Sequence, residues 1–165
     1  MALHVTGLWR YPVKSLGGEP LSTAVIGPDG IPGDRVVRMR GPEGVRTSRR
    51  QYRLLGLRGT LDPDGRPHIN GHPWNSPDAL ALVKGAAGAM AAFGRDVRRL
   101  RPNIVTGGVE GLGERDWPGA ELHIGDAIVR LDSLRGRCHM TTVDPDTLEI
   151  TPRCCAISCG DPAAG

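Results

Sequence analysis

The stretch RVVRMRGPEGVRTSR, residues 35–49, decides the fold class of the chain. Charged and aliphatic side chains are interleaved on both sides of its Gly-Pro-Glu-Gly centre, a pattern typical of two short strands joined by a turn. A second hairpin is predicted next to it, because apolar runs at 54–61 and 68–74 flank Asp-Pro-Asp-Gly at 62–65. The first half of the chain is therefore predicted to be a run of β hairpins.

Shorter apolar runs predict the remaining elements. Strands are expected at 3–9, 22–26, 96–100, 104–106, 121–124 and 127–132, with a tight turn between the last two. One helix is expected to begin at Ser76, where Ser-Pro-Asp combines an N-cap hydroxyl with a proline at the first helical position, and to end at Gly94. The predicted fold class is mainly β (α+β), with one or a few short helices.

Length and composition limit the possible functions. The 165 residues fit one ordinary domain, and only six are aromatic, so base stacking on single-stranded nucleic acid lacks its usual platform. The N-terminus MALHVTGLWRYPVK has no signal-like apolar stretch, and no run is long enough to span a membrane. We expect a cytoplasmic protein with no nucleic-acid partner and no membrane association.

The basic residues indicate an anionic ligand. Of the 21 only Lys14 and Lys84 are lysine, and residues 35–53 carry seven arginines against Glu43. Arginine binds phosphate or carboxylate with two parallel hydrogen bonds. A GC-rich genome would also explain arginine in place of lysine, so the positions of the arginines must decide between the two explanations.

Three short segments could carry chemistry. Cys138 lies between Arg137 and His139, and neighbouring cations favour the thiolate that attacks or binds metal, although a buried, inert cysteine is an equal alternative. Lys14 and Ser15 could offer an ammonium and a hydroxyl to a phosphate. The Arg-Pro-Asn segment at 101–103 could offer a guanidinium and an amide to a heterocycle.

Two further groups are candidate metal sites. His68 and His72 are more typical of solvent-facing hairpin residues than of ligands. The cysteines at 154, 155 and 159 lack the spacing of plant-type iron–sulfur proteins, and a zinc site there would need a fourth ligand such as His139.

Taken in order, several motifs resemble those of one family. They are YPVKSL at 11–16, GDR at 33–35, RPNIV at 101–105, DW at 116–117, IGD at 124–126 and RCHMTTVDPDT at 137–147. This set resembles the molybdenum-cofactor sulfurase C-terminal (MOSC) domain family with its N-terminal β-barrel partner. It is most similar to the branch that holds the mitochondrial amidoxime-reducing component and its bacterial relatives.

The resemblance implies a β-barrel-like fold that binds molybdenum cofactor, a pterin dithiolene with a phosphate. Carried over by position, Cys138 would be the molybdenum ligand and catalytic residue. The implied cofactor contacts are Lys14, Ser15, Arg35, Asn75, Ser76, Arg101, Asn103 and Arg137. A soft thiolate suits molybdenum, and cations with an amide suit a pterin phosphate.

The resemblance also divides the chain. Residues 1–75 would be the N-terminal barrel-like part, 76–150 a shortened MOSC core and 151–165 a loose tail, because family members continue well past the VDPDT turn. The implied function is reduction of N-hydroxylated or N-oxygenated small molecules, with electrons from a flavin, iron–sulfur or haem protein. The alternatives are a sulfur carrier that takes a persulfide on Cys138 from a pyridoxal-phosphate desulfurase, and a shortened protein that only binds cofactor.

Overall fold

A computed structural model describes residues 2–73, 96–110, 113–134 and 139–151 of the chain. Its regular structure is short β-strands and single-turn 3₁₀ helices. The strands are β1 (His4–Arg10), β2 (Glu19–Leu21), β3 (Arg40–Gly41), β4 (Gly44–Val45), β5 (Gly59–Leu61), β6 (Pro67–Ile69), β7 (His72–Pro73), β8 (Ile104–Gly107), β9 (Glu121–Ile124) and β10 (Ala127–Arg130). The 3₁₀ helices are Tyr52–Gly56, Val97–Leu100, Gly113–Asp116 and His139–Thr142. The predicted mainly β class is confirmed.

The longest strand, β1, joins distant parts of the chain. It lies between β2 and β8 in an antiparallel sheet of order β2-β1-β8. An ion pair between Arg10 Nε and Glu19 Oε1, 2.7 Å apart, fixes the β1–β2 register. On the other edge, the Trp9 amide donates to the carbonyl of Asn103 at 2.8 Å. The sheet thereby brings the Tyr-Pro-Val-Lys-Ser segment after β1 next to the Arg-Pro-Asn segment before β8.

The remaining strands form hairpins at the predicted turns. Strands β3 and β4 pair across the Gly-Pro-Glu-Gly turn, β5 and β6 across Asp-Pro-Asp-Gly, and β9 and β10 across Gly125. Strand β7 continues the second hairpin as a third strand. The strands of the described segments form four separate small sheets, and no closed barrel is found among them.

Two predicted strands are wrong because local hydrogen bonds favour 3₁₀ turns. Residues 97–100 are helical, since the Asp96 carboxylate caps the turn by accepting the Arg98 amide at 2.8 Å. The first part of the predicted 54–61 strand is also helical, with the Leu57 amide donating to Leu54 at 3.2 Å. A three-residue repeat places Leu54 and Leu57 on one face, where both contact the core.

The strand predicted at 22–26 is also misplaced. The strand in this region is β2 at Glu19–Leu21, and residues 22–26 have no regular structure. Its apolar residues lack a buried surface, and Val25 is 77% exposed. Pairing of Arg10 with Glu19 sets the strand three residues earlier than the apolar pattern suggests.

The core is aliphatic and lies under the segment after β1. Val13 and Leu16 are fully buried and pack with Val37 and Met39. A parallel bridge between Val13 and Val37 connects this segment to the first hairpin. The core therefore anchors the backbone of the Tyr-Pro-Val-Lys-Ser segment on both sides of its lysine.

Two predictions fall on other parts of the chain. The helix predicted to begin at Ser76 lies outside the described residues, and so does nearly all of the predicted tail.

In the described segments, no helix has the length and apolar character that crossing a membrane requires.

Candidate functional site

Two arginines singled out by the sequence, Arg35 and Arg101, lie against the ring of Tyr11. Their guanidinium carbons are 5.1 Å and 4.8 Å from the ring centroid. Trp9 stacks on the same tyrosine, with centroids 6.5 Å apart and an interplanar angle of 22°. Desolvated contacts between a guanidinium and an aromatic ring stabilise by about 1–2 kcal/mol each. Because Tyr11 is almost completely buried, it is a rigid support for both cations.

Arg35 uses its donors to hold the Arg-Pro-Asn segment. Its Nη1 donates to Asn103 Oδ1 at 2.8 Å, and its Nη2 donates to the carbonyl of Arg101 at 2.9 Å. It also forms an ion pair with Asp34, whose second oxygen accepts the Tyr11 amide at 2.8 Å. The charge of Arg35 is therefore compensated within the protein.

Asn103 is similarly occupied. Its Oδ1 accepts from Arg35, and its Nδ2 donates to the Trp9 carbonyl at 3.0 Å. The side chain is buried, so these two bonds connect the loop to β1 away from solvent. In this arrangement Arg35 and Asn103 orient the backbone that carries Arg101.

Three of the sequence-predicted contact residues have left-handed backbone conformations. The φ angles are 76° at Ser15, 53° at Arg35 and 52° at Arg101. In the described segments only Asn70 and Leu148 share this property among non-glycine residues. Such conformations cost about 1–3 kcal/mol and concentrate at functional sites. This strain is independent of the sequence motifs and marks the same three positions.

Lys14 lies in the segment between the core and these arginines. Its amide donates to the carbonyl of Val37 at 2.8 Å, next to the bridge between Val13 and Val37. Partial burial, followed by repulsion from Arg38, Arg49 and Arg101, lowers the pKa of the Lys14 ammonium. Several cations therefore act on one another here, which favours an anionic ligand.

A cleft of about 190 Å³ lies beside Tyr11. One wall is aromatic and cationic, with Trp9, Tyr11 and Arg101, and a second is aliphatic, with Leu55 and Leu57. The third wall is formed by Met140, Val143, Pro145 and Asp146. Gly18 borders the cleft, and a Cβ there would clash with the Tyr11 ring. The cleft can take a flat, partly apolar group with an anionic substituent near Arg101.

The third wall begins at Met140, two residues after Cys138, and is fixed by Arg99. The Arg99 Nη1 donates to the Thr142 carbonyl at 2.9 Å, and its Nη2 pairs with Asp144 at 2.6 Å. Asp144 also closes its own turn, accepting the amides of Asp146 and Thr147 at 3.0 Å each. Hydrogen bonds from the Thr147 and Asp146 amides, followed by the charge of Arg99, hold the pKa of the Asp144 carboxyl below its usual range.

Arg98 connects the same two segments at the surface. Its side chain pairs with Asp96 on one side and with Asp146 on the other, where the closest N–O distance is 2.6 Å. Together, Arg98 and Arg99 hold the turn after Cys138 against the helix that precedes Arg101. The RPNIV motif and the described part of the RCHMTTVDPDT motif, residues 139–147, are brought together in this way.

Sequence reasoning missed the roles of Tyr11, Arg98 and Arg99. Tyr11 was recognised as part of a motif but not as a support for cations. The signal for the arginine pair was a weak one: Arg98-Arg99 lies close before Arg101, and Asp144 and Asp146 supply a matching number of carboxylates. Nothing in the sequence alone assigns these partners to each other.

Four predicted site residues lie outside the described residues: Asn75, Ser76, Arg137 and Cys138. Of the two histidines weighed as ligands, His68 has its Nε2 3.3 Å from Asp62 Oδ2. No group of three or more potential metal ligands occurs within the described ranges. The site built by the described residues is therefore an arrangement of cations around a cleft.

Comparison with known proteins gives one match. Residues 83–156 match the family model of the MOSC domain. The match covers a little under half of the chain and includes the Arg-Pro-Asn and Arg-Cys motifs, and it supports the MOSC family. No curated protein and no solved structure matches the chain. The MOSC domain is associated with molybdenum-cofactor binding and sulfurase-like proteins.

The described residues fit a phosphate-bearing heterocyclic cofactor. Arg101 supplies positive charge to the cleft, and the Trp9 and Tyr11 rings supply a flat apolar wall. The buried Tyr11 hydroxyl has no hydrogen-bond partner among the described residues, so a polar donor remains unused beside the cleft. Neutral aromatic walls and arginines are suitable for a pterin and its phosphate.

Proposed function

We propose that this protein binds molybdenum cofactor and is an oxidoreductase that reduces N-hydroxylated or other N-oxygenated small molecules. The proposal rests on the coarser association of the MOSC domain with molybdenum cofactor and on the resemblance to the amidoxime-reducing branch. When bound, the cofactor supplies the metal that takes up oxygen from the substrate. Its electrons come from a separate flavin, iron–sulfur or haem protein.

One observation carries the proposal: Arg101 and Met140 line the same cleft, and Met140 is two residues after Cys138 in the sequence. His139–Thr142 is held to the segment before Arg101 by a hydrogen bond from Arg99 to the Thr142 carbonyl. In this proposal Arg101 would hold the phosphate of the cofactor and Cys138 would hold its metal.

The residues divide into two roles in this proposal. Lys14, Ser15 and Arg101 bind the phosphate end, while Arg35 and Asn103 orient Arg101 and Trp9 through their own hydrogen bonds. Cys138 binds the metal. Asn75, Ser76 and Arg137 complete the contacts in the proposal, from parts of the chain outside the described residues.

Pterin content tests the phosphate end of this site. We expect Arg101→Gln, made in a host that produces molybdenum cofactor, to retain less than about one tenth of the parent's pterin, the loss expected for a charge-assisted contact. The measurement is fluorescence of the oxidised pterin released from purified protein. Arg50→Gln is the matched control, because Arg50 is exposed and does not line the cleft.

Equal pterin in parent and Arg101→Gln would contradict the proposed site. Reduction of an aromatic amidoxime by the loaded parent, with reduced methyl viologen as electron source, tests the reaction separately. No turnover by protein that contains full pterin and molybdenum would contradict the proposed substrate class and leave the binding role.

A further inference from the structure

One cation of the cleft, Arg58, belongs to no motif and has no acidic partner. It lines the cleft beside the aliphatic wall and is exposed. Within the described ranges its side chain takes part in no ion pair and no hydrogen bond, whereas Arg98 and Arg99 in the same cleft pair with aspartates. Its guanidinium, whose N–H donors lie in one plane, is therefore available to a ligand.

The acidic residues of the hairpin that follows Arg58 are directed to other groups. Asp62 closes its own turn, where it accepts the Asp64 and Arg66 amides at 3.0 Å and 2.8 Å. The second oxygen of Asp62 lies 3.3 Å from His68 Nε2. Asp64 lies 4.0 Å from Arg66. Arg58 thus keeps its charge uncompensated although two carboxylates follow it closely in the sequence.

The backbone of Arg58 is held from two sides. A parallel bridge joins it to Gly17. The Gly17 amide donates to the Leu57 carbonyl at 2.7 Å, and the Gly17 carbonyl accepts the Gly59 amide at 2.9 Å. On the other side, the Arg58 amide donates to Asn70 Oδ1 at 2.8 Å, and the Arg58 carbonyl accepts the Asn70 amide at 2.9 Å. These bonds fix the point at the cleft from which the side chain extends.

Backbone strain also occurs beside this wall of the cleft. Leu148 has a φ of 60°, a conformation that asparagine adopts readily in turns but that strains a leucine. The Leu148 side chain lies against Gly56, where an added Cβ would come within 3.1 Å of Leu148 Cδ1. Gly56 lines the cleft two residues before Arg58. Because strained conformations concentrate at functional sites, this wall resembles the wall of Arg101 in being specifically constructed.

We infer that Arg58 is a further cofactor contact, which donates hydrogen bonds to the carbonyl oxygen of the pterin ring while Arg101 binds the phosphate. This inference rests on the proposed function and extends it from the phosphate end of the cofactor to the ring end. Leu55 and Leu57 line the cleft next to Arg58. Aliphatic side chains suit the face of a flat ring and not a hydrated phosphate, so the guanidinium beside them is assigned to the ring.

Titration of full-length, cofactor-free protein with hydroxymethylpterin, which has no phosphate, tests this contact through quenching of the pterin fluorescence. We expect Arg58→Met to raise the Kd at least about tenfold, the effect of losing a hydrogen bond from a charged group. Arg53→Met is the matched control and keeps the parent's Kd, because Arg53 is exposed in the preceding 3₁₀ helix and does not line the cleft. An equal Kd in parent and Arg58→Met, or no binding by the parent, overturns the inference.

Titration with inorganic phosphate separates the two ends of the cofactor. We expect Arg58→Met to bind phosphate as the parent does, and Arg101→Gln to lose this binding. Loss of phosphate binding in Arg58→Met, with pterin binding retained, would overturn the assignment of Arg58 to the ring and place it at the phosphate.

Pterin content after expression in a host that makes the cofactor distinguishes failure of this inference from failure of the proposed function. We expect Arg58→Met to retain at least about fivefold less pterin than Arg53→Met. Full pterin in Arg58→Met together with a loss in Arg101→Gln overturns the role of Arg58 and leaves the proposed function standing. Full pterin in Arg101→Gln contradicts the proposed site itself.

Discussion

Tyr11 connects the stability of the site to alkaline pH. Burial raises its pKa to about 12, against the lowering effect of Arg101 and Arg35. The pKa of Tyr11 in the folded state exceeds its unfolded value near 10. The contribution of neutral Tyr11 to the free energy of unfolding is therefore fully present below pH 10 and is lost as pH rises through about 12. We expect the parent to lose roughly 2–3 kcal/mol more than Tyr11→Phe over that window, measured by urea unfolding at pH 9 and pH 12.

The phenylalanine variant is a suitable reference because it keeps the ring that supports both guanidiniums. It removes only a buried hydroxyl that has no partner among the described residues, so stability at pH 7 should not fall. An identical pH dependence in the two proteins would show that Tyr11 does not titrate in this way.

Arg101 is expected to bind phosphate although its backbone conformation destabilises the folded state. Its φ of 52° suits glycine and disfavours any residue with a Cβ. We expect the free energy of unfolding of Arg101→Gly to exceed that of Arg101→Ala by about 0.5–1 kcal/mol. This difference already includes the opposing effect of glycine, which makes the unfolded chain more flexible. Both variants should lose phosphate binding equally. Denaturant unfolding measures the difference in stability, and titration with phosphate measures binding. A glycine variant less stable than the alanine variant would refute the strain.

For single residues, the sequence predicted which side chains come together better than it predicted what each side chain does. Arg35, Arg101 and Asn103 do come together, but the sequence could not show that Arg35 is neutralised by Asp34. That pairing depends on a left-handed turn at Arg35, which no local propensity of arginine predicts. Side-chain roles of this kind are set by contacts between residues far apart in the chain.

Among the elements, the turn after Cys138 depends most on one carboxylate. Asp144 accepts two amides of its own turn and the guanidinium of Arg99. Removing it should loosen His139–Thr142 and with it the third wall of the cleft. We expect Asp144→Ala to lower the melting temperature more than Asp144→Asn, because asparagine retains an acceptor for the turn amides.

The same residue predicts an acid response. Because the pKa of Asp144 is held below its unfolded value, the stability it contributes is present above that value and is lost as pH falls through the folded pKa. Asp144→Asn should therefore lose less stability than the parent between pH 5 and pH 3. Thermal unfolding of both proteins at each pH measures this difference. Equal acid sensitivity in parent and variant would contradict this assignment.

Elements fixed by turn chemistry were predicted well, and elements fixed by a single cap were not. The Gly-Pro-Glu-Gly and Asp-Pro-Asp-Gly turns lie where the sequence puts them. The prediction of a strand at Val97–Leu100 was wrong, because one hydrogen bond from the Arg98 amide to the Asp96 carboxylate outweighs a weak apolar pattern over four residues. Short windows of this length hold too few residues for periodicity to decide.

On the scale of the whole molecule, the two halves of the chain contribute different parts of one site. The first half supplies Trp9, Tyr11 and Arg35, which packs on the Tyr11 ring, and the second supplies Arg101 and the cleft residues from Met140 to Asp146. The central sheet and the paired arginines 98 and 99 hold these parts together. The family match lies entirely in the second half, so the contribution of the first rests on its geometry.

The most direct test of the account is molybdenum per chain, measured by elemental analysis on parent and Cys138→Ser expressed in a host that makes the cofactor. The account predicts nearly one molybdenum per parent chain and a loss of at least about tenfold in the variant, with both proteins folded. A folded parent without molybdenum would contradict it, and sulfane sulfur on Cys138 in that protein would favour the sulfur-carrier function instead.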